Sequence, residues 1–144
     1  MSDNWKEGKQ YIYDNTISVR HGSSSFYKHL WKVHDILKEE MKQEDYLCRA
    51  GLFHSIYGTS YFKNFKDETL TREKVKSWIG EKAENLVYEF CVTEHRTKAF
   101  VKRTGNWDDD VYRDLLILEI ANLRGQNIKK FPRTPSIRRR INRL

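Results

Sequence analysis

The sequence predicts an all-α fold, a single bundle of about five to six helices, and three observations carry that prediction. Apolar residues recur every three or four positions through most of the stretch from Phe26 to Leu123, and strand-like alternation persists nowhere. The breaks between periodic runs fall at Gly, Ser, Thr and Asp, residues that start or stop helices. A chain of 144 residues is long enough to bury a core without staples, and its 13% aromatic content argues against disorder despite 33% charged residues.

Three segments follow from composition. Residues 1–18 are mixed in pattern, with Trp5, Tyr11 and Tyr13, and are expected to pack over the body as a short irregular segment or helix. Residues 19–128 hold the helical domain. Residues 129–144 form a basic tail: Lys129, Lys130, Arg133, Arg138, Arg139, Arg140 and Arg143, with no acidic residue. Taking those seven from the chain's 27 basic residues leaves 20 against 20 acidic ones, so the body is neutral and the tail holds the whole net charge of +7. Pro132 and Pro135 break any continuous helix there. Two readings stay open, a solvated extension with a last helical turn over 136–144, or an arm for nucleic acid, an anionic lipid face or an acidic protein partner.

Within the domain, 20–25 (Arg-His-Gly-Ser-Ser-Ser) reads as a loop ending in a serine N-cap. Phe26, His29, Leu30, Val33, Ile36, Leu37 and Met41 then share one helical stripe, while Trp31 and Lys38 face elsewhere. His34 lies between that stripe and solvent. A second helix, from about Glu44 to Tyr57, is small or apolar nearly all round and therefore belongs in the interior, with Gly51 permitting the close approach of a neighbour. Gly58 starts a loop through Phe65 to Glu68. Thr71 caps a short helix carrying Val75, Trp78 and Ile79, and Gly80 stops it. A further helix carries Ala83, Leu86, Val87 and Phe90, with His95 and Arg96 near its end. In the last strong element Asp108, Asp109 and Asp110 occupy the N-terminus, where the helix dipole favours them, and Val111, Leu115, Leu118 and Asn122 share one seam. A polar Asn122 at a core position needs partners.

Cys48 and Cys91 both sit in apolar helical runs and are expected to be buried thiols. No segment reaches the roughly 18–20 apolar residues of a membrane span, and the start of the chain lacks a signal-peptide pattern, so an intracellular, cytoplasmic protein is expected. GxxxxGKS, GxSxG, HExxH and Cys-rich zinc spacings are all absent, which excludes the enzyme classes they mark.

The residues left for chemistry are two histidines. His29 and His54 each lie on the buried side of a predicted helix, and an imidazole is costly to bury without a partner. Either they share a metal ion or ligand, or they are core histidines satisfied by hydrogen bonds. Asn122 has the same two readings, a hydrogen-bond partner of backbone or histidine, or a direct ligand.

A helix with one histidine, a buried helix ending in His-Ser, and a late helix with an inward Asn resemble the HD superfamily of metal-dependent phosphohydrolases. The order of parts looks most like the (p)ppGpp hydrolase domains of stringent-response RelA/SpoT proteins. The likeness runs over about residues 18–126, with Arg20-His21-Gly22 resembling the loop before the first ligand and the region around Trp78-Ile79-Gly80-Glu81-Lys82 a turn joining two helices. Gly51-Leu52-Phe53-His54-Ser55-Ile56-Tyr57-Gly58-Thr59 resembles a small group of HD-like proteins with His-Ser in place of His-Asp.

The resemblance implies a divalent ion (Mn, Fe or Zn) on His29, His54 and the distant position occupied here by Asn122. His21, Ser55, Thr59 and Glu119 would support it, and Arg20 and Arg96 would contact an anion. It implies a metal-dependent phosphohydrolase or a pseudoenzyme that binds a phosphorylated small molecule or nucleotide. Ser55 and Asn122 stand where the family has aspartates, which removes two negative charges from around a dication and predicts weaker metal binding. Ile56-Tyr57-Gly58-Thr59 also lacks the acidic residues that assist the attacking water. The alternative is a non-catalytic binding or structural module working through the basic tail.

Overall fold

A computed structural model describes residues 4–21, 24–58, 70–126 and 134–143. The chain is all-helical, apart from a two-residue antiparallel pair in which Arg20 faces Ser25 and His21 faces Ser24. Eight α-helices occur among the described residues: α1 (Trp5–Thr16), α2 (Phe26–Asp35), α3 (Asp45–Phe53), α4 (Arg72–Ile79), α5 (Glu81–Val92), α6 (Arg96–Lys102), α7 (Asp109–Gly125) and α8 (Thr134–Asn142). This exceeds the five or six expected, because three segments of weak pattern become helices once they have something to pack against.

The first is α1, which buries Gly8, Ile12 and Thr16. Tyr11 lies 4.8 Å from Trp78 between ring centroids, and a Cβ on Gly8 would stand 2.8 Å from the Trp78 Cβ, so glycine is what allows α1 to lie against α4. The second is α6. His95 and Arg96 do not end the preceding helix. Thr93 leaves α5 in an extended conformation, His95 takes a left-handed one at φ 50°, and Arg96 begins a new helix.

The third is α8, where the tail expectation changes. Pro135 falls in the first helical turn, where no N–H is required of it, so it is compatible with the helix start. Ile137 is fully buried and the Arg140 Nε donates to the Val101 carbonyl at 2.9 Å, so 134–143 packs on α6 and α7. Lys129, Lys130 and Arg133 lie outside the described residues.

Ser25 caps α2 by accepting from the Lys28 N–H, and Thr71 caps α4 by accepting from Lys74 N–H, both as anticipated. The α2 stripe continues beyond Asp35 as one π-helical stretch, Ile36–Glu40, which keeps Ile36 and Leu37 inward and leaves Met41 half-buried at its end. The second expected helix is shorter than its apolar run: α3 stops at Phe53, and residues 54–57 form turns that remain buried or nearly so. Gly51 faces Leu37, whose Cδ1 would stand 2.5 Å from a Cβ there, as close approach requires.

At the centre runs α7, buried continuously from Asp114 to Leu123 and in contact with α2, α3, α5, α6 and α8. The core of Leu30, Val33, Leu47, Leu52, Phe53, Val87, Phe90, Phe100, Leu115 and Leu118 surrounds it. A second constraint braces the other side of the fold. Glu84 on α5 is 1% exposed, yet it accepts from Tyr57 Oη at 2.7 Å and from Arg72 Nε and Nη2 at 2.8 and 3.0 Å. One carboxylate thus ties the turn after α3 and the start of α4 to α5. Arg72 in addition stacks over the Tyr88 ring at 3.7 Å. Among the described residues no helix is long and apolar enough to cross a membrane.

Arg72→Ala leaves the buried Glu84 carboxylate with one hydroxyl donor and no cation, and is expected to destabilise the fold by about 3 kcal/mol. Arg72→Lys, which keeps the charge but loses the two-pronged geometry, should cost less. Urea unfolding of both variants checks the order.

Candidate functional site

The two histidines that the sequence singled out come together in the core. His29 lies on the inner side of α2 and His54 in the turn at the end of α3, 4% and 2% exposed, with ring centroids 5.2 Å apart and planes nearly perpendicular. Phe26 stacks on His29, and Phe90 meets His54 edge to face at 5.7 Å.

Hydrogen bonds set the protons on these rings. The His54 Nδ1 lies 2.7 Å from the Gly51 carbonyl, which only accepts, so Nδ1 carries a proton. The Asn122 Nδ2 donates to Glu119 Oε1 at 3.3 Å, which orients the amide and points its oxygen at His29. The His29 Nε2 donates to that oxygen at 3.2 Å. Glu119 Oε2 accepts from the Thr97 hydroxyl at 2.8 Å. A chain of polar contacts therefore crosses the core from α2 through α7 to α6. Gly125 permits it: a Cβ there would stand 2.9 Å from Val33 Cγ2 and 3.3 Å from His29 Cε1, close enough to force α2 and the ring away.

Burial pushes the Glu119 carboxyl above its ordinary range, while the positive charge of Arg96 and the donors Thr97 and Asn122 pull it back. Arg96 opens α6 with its guanidinium 4.2 Å over the Phe90 ring, so Phe90 is the shared neighbour of Arg96 and His54. Its Nη1 is buried and has no hydrogen-bond partner among the described residues. Cys91 donates its thiol to the His54 carbonyl at 3.1 Å, and burial pushes that thiol up to about 12, so it stays protonated and packs as a neutral group.

His29, His54, Asn122, Glu119 and Arg96 thus belong to one neighbourhood. Ser55 is buried beside His54. Arg20 and His21 form the two-residue strand, with their side chains outside the described residues, as is Thr59. His34 lies apart: it is buried between Trp5 and Trp31 and bonded to Asp35, as a structural residue is. Asp109 of the acidic run pairs with Arg103 at 2.9 Å, which ties the start of α7 to the end of α6, and Asp108 makes no side-chain cap bond. Thr97 and Gly125 escaped the sequence reading, which gave Phe90 only as a core position. An ordinary Thr, Phe and Gly at helical spacing carry no signal until the helices are placed. Only the buried Glu119, one turn before an inward Asn, was a usable hint at a neighbouring donor.

The donor set does not suit a resident dication. Among the described residues, the two imidazoles and the amide oxygen supply no negative charge, and Glu119 is bonded to the Asn122 amide. Among the described residues no three His, Cys, Asp or Glu side chains are grouped to hold a metal ion. The His29 Nε2 proton, which a metal would have to replace, is committed to Asn122.

Residues 14–95 match the family described as "Domain of unknown function (DUF6817)", a span that includes His29, His54 and Ser55 and ends one residue before Arg96. No curated protein and no solved structure matches the chain.

The raised Glu119 pKa has a sign that can be measured. The folded carboxyl binds its proton more tightly than the unfolded one, so the native state loses stability as pH rises from the ordinary value of 4.5 to the raised folded value, and no more above it. Glu119→Gln removes that titration. The stability of the natural protein relative to Glu119→Gln should therefore fall across this window and be flat above it, as urea unfolding at a series of pH values will show.

Proposed function

The chain belongs to the DUF6817 family, and we propose that it binds a phosphorylated small molecule, nucleotides included, on the polar network of Arg96, His54, His29, Asn122 and Glu119. In this reading it is an HD-like scaffold whose metal centre has given way to a neutral hydrogen-bonded network, a binding protein in place of a hydrolase.

Arg96 carries the proposal. A guanidinium held inside a fold with an unused donor is costly, and a phosphoryl oxygen is the acceptor whose charge and fork geometry suit it. Thr97 and Asn122 hold Glu119 and leave Arg96 as the cation of the site. The resemblance to HD phosphohydrolases, whose substrates are phosphorylated, supports the same ligand class. Hydrolysis lacks support from this chain's own residues: Ile56, Tyr57 and Gly58 bring no carboxylate after His54, and Glu119 is held by Thr97 and Asn122.

Calorimetric titration with a nucleoside 5′-diphosphate and with the matching nucleoside, both in excess EDTA, tests the reading. The diphosphate should bind, the nucleoside should not, and Arg96→Ala should weaken the diphosphate by about tenfold or more. Equal binding to Arg96→Ala, or binding that requires added Mn²⁺, would overturn it.

A further inference from the structure

Two packed helices carry cations without a single acid. The sequences of α6 (Arg96–Lys102) and of 134–143 hold seven basic residues and no acidic one, in a chain whose first 128 residues are balanced in charge. Protein surfaces ordinarily intersperse the two signs, so a segregated patch is a feature to be explained.

The packing makes this patch a single rigid surface. Ile137 is fully buried, Ile141 packs against the core, and the Arg140 Nε donates to the Val101 carbonyl of α6 at 2.9 Å. That bond marks the seam between the helices. On the α6 side, Lys98 and Lys102 are exposed and one turn apart, next to Val101 around the helix. On the α8 side Arg138 and Arg143 are exposed, with Arg139 between them. Cations from segments about 40 residues apart in sequence thereby flank one seam, and no acid of either helix interrupts them. The patch ends at Arg103, whose charge is taken by Asp109.

From this juxtaposition we infer that α6 and α8 together form a sequence-independent binding surface for the phosphate backbone of nucleic acid, distinct from the buried histidine network. Guanidinium groups match phosphate oxygens in pairs, and a fixed row of cations displaces the counterions condensed on a polyanion. The patch lacks what a membrane surface requires. The exposed large hydrophobics among the described residues are Tyr13, Ile17 and Val92, none on α6 or α8, so the described residues of the two helices offer no large apolar group to a bilayer. Arginine-rich, wedge-free and rigid, the surface suits a backbone that is read by charge alone.

Fluorescence anisotropy of the full chain with labelled duplex DNA of about 20 base pairs, titrated at about 50 to about 200 mM salt, tests the inference. Binding should weaken with salt along a log–log slope of about −4, as contacts from four cations predict. The pairs Lys98→Ala/Lys102→Ala and Arg138→Ala/Arg143→Ala should each reduce that slope by about 2 and weaken binding, whereas Lys28→Ala on α2 with Lys38→Ala on the π-helical stretch after it should leave both nearly unchanged. All six positions are exposed, so unchanged thermal unfolding confirms intact folding. No binding, or retention only on phosphatidylserine vesicles, would overturn the inference. An α6 pair without effect would also overturn it, since a tail acting alone needs no α6, as would a control pair as damaging as the others.

Discussion

A helix buried along most of its length can hold polar side chains only if the rest of the fold brings them partners, and α7 is such a helix. Asp114, Glu119 and Asn122 all lie within its buried stretch. Each leans on a different neighbour: Asp114 accepts from Tyr46 of α3 at 2.6 Å, Glu119 from Thr97 of α6, and Asn122 from His29 of α2. The surrounding helices are therefore positioned by apolar packing and also by three polar contacts, each costly to lose in a low-dielectric interior. Burial lifts the carboxyls of both Asp114 and Glu119, while their hydrogen bonds work in the opposite direction.

Glu84 repeats the arrangement on the outer side of α5. Tyr57 and Arg72 both converge on it, and burial together with that carboxylate raises the Tyr57 hydroxyl above its ordinary range. Two buried acids, Glu84 on α5 and Glu119 on α7, thus each draw other segments of the fold onto one carboxylate. Where Glu84 meets a half-exposed Arg72, Glu119 meets hydroxyl and amide donors, and the Arg96 nearby keeps a donor in hand.

An amide at position 122, where the HD resemblance sets an aspartate, acquires its physical meaning in this setting. An amide at position 122 both donates and accepts, so it relays between Glu119 and His29, which an aspartate cannot do while ionised. The Arg96 guanidinium lies over the Phe90 ring, whose edge-to-face neighbour is His54.

Much of this was legible in the residues themselves. Spacing alone marked His29, His54 and Asn122 as inward, because helical period decides which face a side chain takes. The Ser25 and Thr71 caps and the Gly80 stop were equally readable, since capping and positive φ are local chemistry. Tertiary structure decided the rest. Weakly patterned segments such as 5–16 and 134–142 became helices because Trp78 and the α6–α7 surface gave them somewhere to bury Ile12 and Ile137. Arg96 changed from the end of one helix to the start of another, and Thr97 met Glu119 across 22 residues of sequence. The sequence by itself determined the fold class and which side chains face inward, because those depend on neighbours a few residues away. Which of those side chains meet, and which cations share a surface, depends on how whole helices pack, and no local pattern contains that.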